Sequence, residues 1–212
     1  MDTVVLVSGR GSNLMAIYDA IDAGKCAANI VGVVSDRSKA AALELASQRG
    51  ISTRVVPLRK GDDRARWNEA LAEEVAALRP DLVVLAGFMR VLGPPLLEKF
   101  PGRIINVHPA LLPSFPGHNG AQDALDGGVK ISGCTVHVVD SGVDTGPIIA
   151  QAAVPVLAND DAESLHARIQ VQEHRLLPSV IHKIATGAIT LDPLRVSTQG
   201  TDAEQALTVP RP

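Results

Sequence analysis

An amide and an imidazole two residues apart form the stretch of this chain best suited to chemistry. Asn106 and His108 follow the apolar pair Ile104 and Ile105 and precede Pro109, which ends a strand. Side chains alternate along a strand, so Asn106 and His108 are predicted to project to the same side. This pair suits a reaction in which an oxygen gains negative charge while a proton moves. The alternative is that both side chains only satisfy nearby backbone groups.

A polar turn at residues 140–147 contains two further candidates, the carboxylates of Asp140 and Asp144. Ordinary turn chemistry would explain both residues. The functional interpretation is that Asp144 reaches His108. An imidazole has an ordinary pKa near ~6.5, and a nearby carboxylate favours its charged form. Asp144 is therefore expected to keep His108 a hydrogen-bond donor around neutral pH.

A glycine-rich segment at residues 8–14 joins a first apolar run to a helical pattern and contains Gly11, Ser12 and Asn13. Glycine lets the backbone approach a ligand closely, and the free N–H groups of a helix start favour an anion. Ser12 and Asn13 are also good cap residues, so an ordinary capped turn is the alternative. The segment lacks both a P-loop Lys and the full GxGxxG spacing, which favours a small phosphate-bearing ligand over NAD or ATP.

Strands and helices alternate along the chain. Apolar runs predict strands at 4–7, 30–35, 53–56, 81–86 and 104–108, and helical spacing predicts helices at 40–49 and 64–78. Further on, a short helix is predicted at 123–126, strands at 131–139 and 148–156, and a long helix over 161–185 that Pro178 should kink or break. The pattern predicts an α/β fold: a mostly parallel, doubly wound, Rossmann-like sheet with helices on both faces and antiparallel additions in the C-terminal half.

Composition excludes several classes of function. The chain has 212 residues, 46% of them hydrophobic, and a net charge of -3 with scattered basic residues, which argues against a nucleic-acid binder. Cys26 and Cys134 form no disulfide framework or metal signature. Neither a signal peptide nor a membrane-spanning apolar run is evident. These features predict a cytoplasmic protein that binds small molecules. The oligomeric state is open, with a homodimer as one alternative.

Taken in order, these segments resemble the phosphoribosylglycinamide formyltransferase family. The matching stretches are residues 8–14, 85–92, 105–113, 144–147 and 172–174, within a region from about Val4 to Gly187. Asn-x-His-Pro with a downstream Asp is typical of the wider formyl-folate superfamily. The Gly-Ser-Asn loop is typical of the phosphoribosylglycinamide formyltransferases within it. One stretch departs from the family pattern Phe/Tyr-Pro-Gly-x-His, because His118 lies one residue early, before Asn119.

The resemblance implies transfer of a formyl group from the co-substrate 10-formyltetrahydrofolate to the amine of glycinamide ribonucleotide in purine biosynthesis, with no permanently bound cofactor and no metal. It implies that Asn106 and His108 stabilise the oxyanion while Asp144 supports His108 and proton transfer. The nucleotide would bind Gly11, Ser12, Asn13, Gln170 and Glu173. The folate would bind Arg64, Met89, Arg90, Val91, Leu92, Asn106, Asp140 and Asp144.

The resemblance also suggests a division of the chain. Residues 1–190 are expected to form a single domain, with a nucleotide-phosphate-binding half at 1–100 and a catalytic and folate-binding half at 101–190. Hydrophobicity falls after that, so residues 191–212 are predicted to be a weakly ordered tail.

Several other functions compete with this one. A 10-formyltetrahydrofolate hydrolase and a methionyl-tRNA formyltransferase are the nearest, but as families they have an additional N-terminal or C-terminal domain. A non-catalytic folate- or nucleotide-binding module is another alternative, although all three of Asn106, His108 and Asp144 are present. A metal hydrolase would have to use His108, His118, His137 and Cys134, for which no HExxH or comparable spacing exists.

Overall fold

The structure is a computed structural model that describes residues 1–192 and 196–198. Its strands are β1 (Asp2–Val7), β2 (Asn29–Ser35), β3 (Thr53–Val55), β4 (Leu82–Leu85), β5 (Ile104–His108), β6 (Ile131–Val138), β7 (Ile148–Pro155), β8 (Ile189–Leu191) and β9 (Val196–Thr198). Its helices are α1 (Ser12–Asp22), α2 (Ala41–Gln48), α3 (Arg64–Ala77), α4 (Pro94–Lys99), α5 (Gly120–Asp126) and α6 (Ala162–Ala185).

A seven-stranded sheet in the order β3-β2-β1-β4-β5-β6-β7 forms the centre of the molecule. Strands β1 to β5 pair in parallel, and β6 and β7 are added antiparallel. The near-continuous apolar residues of β1 and β4 are buried, as expected for strands covered on both faces. The predicted α/β class, with its antiparallel additions in the C-terminal half, is confirmed.

Helices cover the sheet on both faces and enclose two apolar cores. One core packs α3 and α4, through residues such as Trp67, Leu71 and Leu96, against one face. The other packs α1, α2, α5 and α6 against the opposite face, with Leu14 and Ile169 among its buried residues. Strands β1 and β4 are neighbours in the sheet. The chain adds β2 and β3 on one side of β1 and then β5 to β7 on the far side of β4, so the strand order reverses between β1 and β4. Ligand crevices of open α/β sheets lie at this position, beyond the carboxyl ends of the strands.

Two helices differ from the predictions. Helix α4 was not predicted, because six residues beginning with two prolines are too few to show a helical period. The expected break at Pro178 is wrong, since α6 continues through it. Pro178 is buried beside Leu177 and Val180, so packing of α6 on the sheet outweighs the loss of one backbone hydrogen bond.

No helix within the described ranges is long and apolar enough to cross a membrane.

The C-terminal segment contains two strands that the sequence did not predict, β8 and β9. Val196–Thr198 forms β9 and pairs antiparallel with β8. Helix α6 ends just before this hairpin, and Gly187, with φ +77°, follows its last turn. The rest of the predicted tail, residues 193–195 and 199–212, lies outside the described residues.

Candidate functional site

The glycine-rich segment after β1 forms an open helix start. Gly11 is the N-cap residue of α1 with φ +83°, and a Cβ at this position would lie 2.7 Å from Cβ of Ala42. The alternative of an ordinary turn capped by Ser12 or Asn13 does not hold, because both residues lie inside the first turn of the helix. The first intrahelical bond runs from the Met15 N–H to the Gly11 carbonyl. The N–H groups of residues 12–14 therefore lie outside the helical ladder, where they favour an anion.

Helix α6 brings two of its residues to this helix start. Nε2 of Gln170 donates to the Ser12 hydroxyl at 2.9 Å, and Nδ2 of Asn13 donates to Glu173 at 3.0 Å. Glu173 is only 4% exposed. Burial raises the pKa of its carboxyl, although the Asn13 amide partly opposes the shift. The structure thus brings together the predicted nucleotide-binding residues Gly11, Ser12, Asn13, Gln170 and Glu173.

A second cluster lies at the end of β5. Asn106 and His108 project to the same side, as predicted, and the turn after β6 brings Asp144 between them. Oδ2 of Asp144 lies 3.3 Å from Nδ1 of His108, and Oδ1 lies 3.4 Å from Nδ2 of Asn106. The backbone N–H of Gly117 also donates to Oδ2 at 2.8 Å. The predicted contact between Asp144 and His108 is therefore present.

His137 is a fourth member of this cluster that the sequence analysis did not select. It pairs with Asn106 across β5 and β6, and its Nε2 lies 3.1 Å from Nδ2 of Asn106 and 3.5 Å from Oδ1 of Asp144. Its Nδ1 faces the Val138 carbonyl at 2.9 Å, a group that only accepts, so Nδ1 carries a hydrogen. The only sequence signal was strand alternation, which does not define the register between two strands.

Burial and charge act in opposite directions on the two central ionisable groups. Burial alone would raise the pKa of Asp144, but hydrogen bonds from His137 and Gly117 and the two imidazoles lower it to about 2. For His108, burial lowers the pKa below its ordinary value more than the Phe115 carbonyl and Asp144 raise it. Asp144 thus raises the pKa of His108, as expected, but burial outweighs this effect.

His108 nevertheless keeps a proton available for donation. Its Nε2 lies 2.8 Å from the Phe115 carbonyl, a group that only accepts, so Nε2 carries a hydrogen. Phe115 belongs to the loop after β5 and has φ +58°. This Nε2–H can therefore donate to another oxygen if that oxygen replaces the Phe115 carbonyl.

The turn that contains Asp144 is held by its own side chains. Asp144 has φ +55°, a left-handed conformation that Asp tolerates better than most residues. Asp140 accepts from the Gly142 N–H at 3.0 Å and from the Thr145 hydroxyl at 2.7 Å. A Cβ at Gly146 would lie 1.9 Å from the Val138 carbonyl, so only glycine fits there. Asp140 thus organises the turn as well as lining the adjacent pocket.

A pocket of about 340 Å³ opens beside the Asp144 cluster, within the usual range for small-molecule sites. Most of the predicted folate-binding residues line it: Met89, Arg90, Val91, Leu92, Asn106, Asp140 and Asp144. Arg64 is not among the lining residues. Its guanidinium hydrogen-bonds to the Val91 carbonyl and lies over the Trp67 ring at the outer side of the same loop. Half-exposed Met89 and Val91 give the pocket apolar walls.

Both groups of residues draw on both halves of the chain. Gln170 and Glu173 reach the glycine-rich segment at residues 8–14 from the C-terminal half, and residues 89–92 line the pocket from the N-terminal half. His118, displaced by one position from the family pattern, is exposed and lines the same pocket.

The residues suggested for a metal hydrolase do not form a metal-binding cluster. Among residues 1–192 and 196–198, no group of three or more His, Cys, Asp or Glu side chains could hold a metal ion. Cys134 is fully buried, and burial, with a smaller contribution from Glu173, raises the pKa of its thiol to about 12. Metals bind thiolates, so this thiol is a poor ligand.

Comparison with known proteins shows the family to which the chain belongs. The model of the formyl transferase family matches residues 1–181. Phosphoribosylglycinamide formyltransferase of Mycobacterium tuberculosis H37Rv is 50% identical over 188 residues, covering 89% of this chain and 86% of the relative. The Escherichia coli K12 protein of the same name is 41% identical, covering 97% and 100%. The crystal structure of glycinamide ribonucleotide transformylase 1 from Symbiobacterium toebii superposes with a TM-score of 0.89 at 44% identity, covering 93% of each chain.

The chain belongs to the formyl transferase family. Within that family, the two relatives and the solved structure described above are phosphoribosylglycinamide formyltransferases, and the resemblance inferred from the motifs is confirmed. The prediction that the chain is a formyltransferase enzyme is confirmed with it.

Proposed function

We propose that this enzyme transfers a formyl group from 10-formyltetrahydrofolate to the primary amine of glycinamide ribonucleotide, a step of purine biosynthesis. The observation that carries the proposal is the position of Asp144 between Asn106 and His108 at the wall of the pocket. The relatives' names supply the formyl group and its acceptor, and the resemblance noted in the sequence supplies the folate donor. The two neighbouring groups of residues are suited to these two substrates. The folate would occupy the pocket, and the nucleotide phosphate would bind the start of α1.

The reaction needs no covalent bond to the protein. The neutral amine nitrogen attacks the formyl carbon, forming one C–N bond and a tetrahedral intermediate with an oxyanion. The bond from that carbon to N10 of the folate then breaks, and one proton moves from the amine to N10. The products are formylated glycinamide ribonucleotide and tetrahydrofolate.

Asn106 and His108 are suited to stabilise the oxyanion. The Asn106 amide and the Nε2–H of His108 are donors on the same side of one strand end. We propose that His108 donates through this Nε2–H, after the Phe115 carbonyl gives way to the substrate oxygen. Preorganised donors of this kind contribute about 10²–10³ in rate each.

The Asp144 carboxylate is suited to orient His108 and to stabilise developing positive charge, rather than to hold a proton itself. Its pKa of about 2 makes the carboxylate a weak base at neutral pH. Its contact with Nδ1 of His108 orients that ring, and its charge favours the ammonium that forms when the amine attacks. We therefore propose that a water molecule bound to Asp144 carries the proton from the amine to N10.

The nucleotide site combines an open helix start with a buried carboxylate. The free N–H groups of residues 12–14 are suited to the phosphate. Glu173, held by Asn13, is suited to accept hydrogen bonds from the glycinamide or ribose portion.

Cys26 and Cys134 are free thiols, as is typical of a reducing compartment, and we propose the cytoplasm as the site of the reaction.

Formyl transfer from 10-formyltetrahydrofolate to three acceptors tests the proposal. Purified protein is assayed with glycinamide ribonucleotide, with water alone and with methionyl-tRNA, following release of tetrahydrofolate. Turnover with glycinamide ribonucleotide at least about 100-fold above the other two supports the assignment, since differences of that size exceed what one contact provides. Equal rates without the nucleotide would indicate a hydrolase, and binding of both ligands without turnover would indicate a binding module.

A further inference from the structure

A buried carboxylate outside the Asp144 cluster connects two loops. One is the glycine-rich segment at residues 8–14, called the phosphate loop below, and the other is the pocket loop at residues 87–92. The side chain of Asp36, which follows β2 directly, is 0% exposed. Its Oδ1 accepts from the Ser8 hydroxyl at 2.6 Å, and its Oδ2 accepts from Nε of Arg90 at 2.7 Å. An ionised group this deeply buried is strongly unfavourable unless its partners are well placed.

The network reaches the backbone of the pocket loop as well as one of its side chains. The Ser8 hydroxyl that donates to Asp36 also accepts from the backbone N–H of Met89 at 2.9 Å. In addition, the Ser8 N–H donates to the Gly87 carbonyl at 3.0 Å. The residues concerned follow β2, β1 and β4, which are neighbours in the sheet on either side of its reversal point. Asp36 therefore ties the loop at residues 87–92 to the two adjacent strand ends.

We propose that Asp36 is a positioning residue for the folate pocket: with Ser8 and Arg90, it sets where residues 89–92 lie relative to the phosphate loop. This inference rests on the proposed function. Asp36 is not among the residues that line the pocket, so it acts only through Ser8 and Arg90.

The effect should be unequal for the two substrates. The phosphate loop has other restraints, including the first turn of α1 and a bond from the Ala42 N–H to the Gly9 carbonyl at 3.2 Å. The segment at residues 86–93 between β4 and α4 has no regular secondary structure of its own. Weakening the network should therefore displace the pocket wall and leave the phosphate loop in place.

The chain offers a matched control. The carboxylate of Asp160 is also nearly buried and pairs with Arg168 at 2.6 Å, but neither residue lines the pocket. Asp160→Asn removes a buried ion pair of similar geometry at the start of α6. A purely structural effect of losing such a pair should appear equally in both variants.

Steady-state kinetics with each substrate varied, together with calorimetric titration of tetrahydrofolate, test the inference. Asp36→Asn keeps an oxygen that accepts from Ser8 but places an amide group opposite Arg90. Ser8→Ala keeps the ion pair between Asp36 and Arg90 but removes the acceptor of the Met89 N–H. Each should raise the Michaelis constant for 10-formyltetrahydrofolate and the dissociation constant of tetrahydrofolate about tenfold, as expected for losing a hydrogen bond to a charged or buried group. The Michaelis constant for the nucleotide should change less than about twofold in the same variants, since its loop is separately restrained.

Two results overturn the inference while the proposed function stands. One is an active wild type in which Asp36→Asn and Ser8→Ala leave both folate constants unchanged. The other is a change that is equal for both substrates, or matched by Asp160→Asn. If Asp36→Asn does not fold, Ser8→Ala alone decides. A wild type that binds tetrahydrofolate but transfers no formyl group overturns the proposed function instead, and the tetrahydrofolate titration still decides the role of Asp36.

Discussion

Oδ2 of Asp144 lies 3.3 Å from Nδ1 of His108, although the two residues belong to different elements of the chain. The contact joins the end of β5 to the turn between β6 and β7. The same carboxylate oxygen accepts from the Gly117 N–H, so one side chain connects three segments beside the pocket. This relationship makes specific predictions about activity and stability.

Replacing Asp144 with Asn should reduce turnover by at least about 10², because the variant loses the charge that favours the developing ammonium and orients His108. Binding of glycinamide ribonucleotide should change little, since its residues lie at the start of α1. Steady-state and binding measurements check this. Asp126→Asn, which alters an exposed carboxylate on α5, is the control and should behave like wild type. Turnover of Asp144→Asn close to that of wild type would contradict the assigned role.

The low pKa of Asp144 predicts a loss of stability in acid. Its folded-state pKa is lowered from 3.8 to about 2, so the carboxylate stabilises the folded protein above about pH 4 and loses this effect as the pH falls through about 2. The full difference is about 2 kcal/mol. Urea unfolding from about pH 6 to about pH 3 should show the wild type approaching Asp144→Asn in stability. A constant difference between them across that range would show that the carboxylate is not perturbed.

Glu173 should show the opposite sign. Burial raises its folded-state pKa, so its charged form destabilises the folded protein once the pH exceeds the unfolded value. Glu173→Gln should therefore keep or raise the melting temperature at neutral pH while raising the Michaelis constant for the nucleotide about tenfold or more, through the loss of a charged acceptor. Glu163→Gln, in the exposed first turn of the same helix, is the control. A clear fall in melting temperature for Glu173→Gln would contradict the prediction that the charged form of Glu173 destabilises the folded protein.

His137 should influence the reaction through Asp144 and Asn106. His137→Ala removes a hydrogen bond and an electrostatic interaction that lower the pKa of Asp144, so that pKa should rise from about 2. It also removes the ring nitrogen that lies 3.1 Å from Nδ2 of Asn106. We expect turnover to fall about tenfold, less than for Asp144→Asn. NMR titration of the Asp144 carboxyl measures the shift, and an unchanged pKa would separate His137 from this site.

The two ligand sites should be kinetically distinguishable. Ser12→Ala removes the hydroxyl that Gln170 contacts, and Asn13→Ala removes the partner of Glu173. Both should raise the Michaelis constant for glycinamide ribonucleotide more than that for the folate. The reverse pattern in initial-rate measurements would mean that the two sites are exchanged.

Local patterns in the sequence determined the elements and the central pair of side chains. The apolar runs of β1 and β4, the helical spacing of α3 and the Pro109 that ends β5 each act within a few residues, where backbone preferences are readable. Strand alternation likewise placed Asn106 and His108 on one side. The family motifs, rather than physical pattern alone, selected Asp144 and Glu173 from many carboxylates.

Only the tertiary structure decided the interactions between these elements. The register of β5 against β6 opposes His137 to Asn106, and the reversal of strand order places Asp36 beside Ser8 and Arg90. The pKa of His108 is lowered because burial outweighs the Asp144 carboxylate, a balance of opposing effects that depends on every surrounding atom. Such long-range pairings and burial arise from packing of the whole chain, so no short stretch of sequence specifies them.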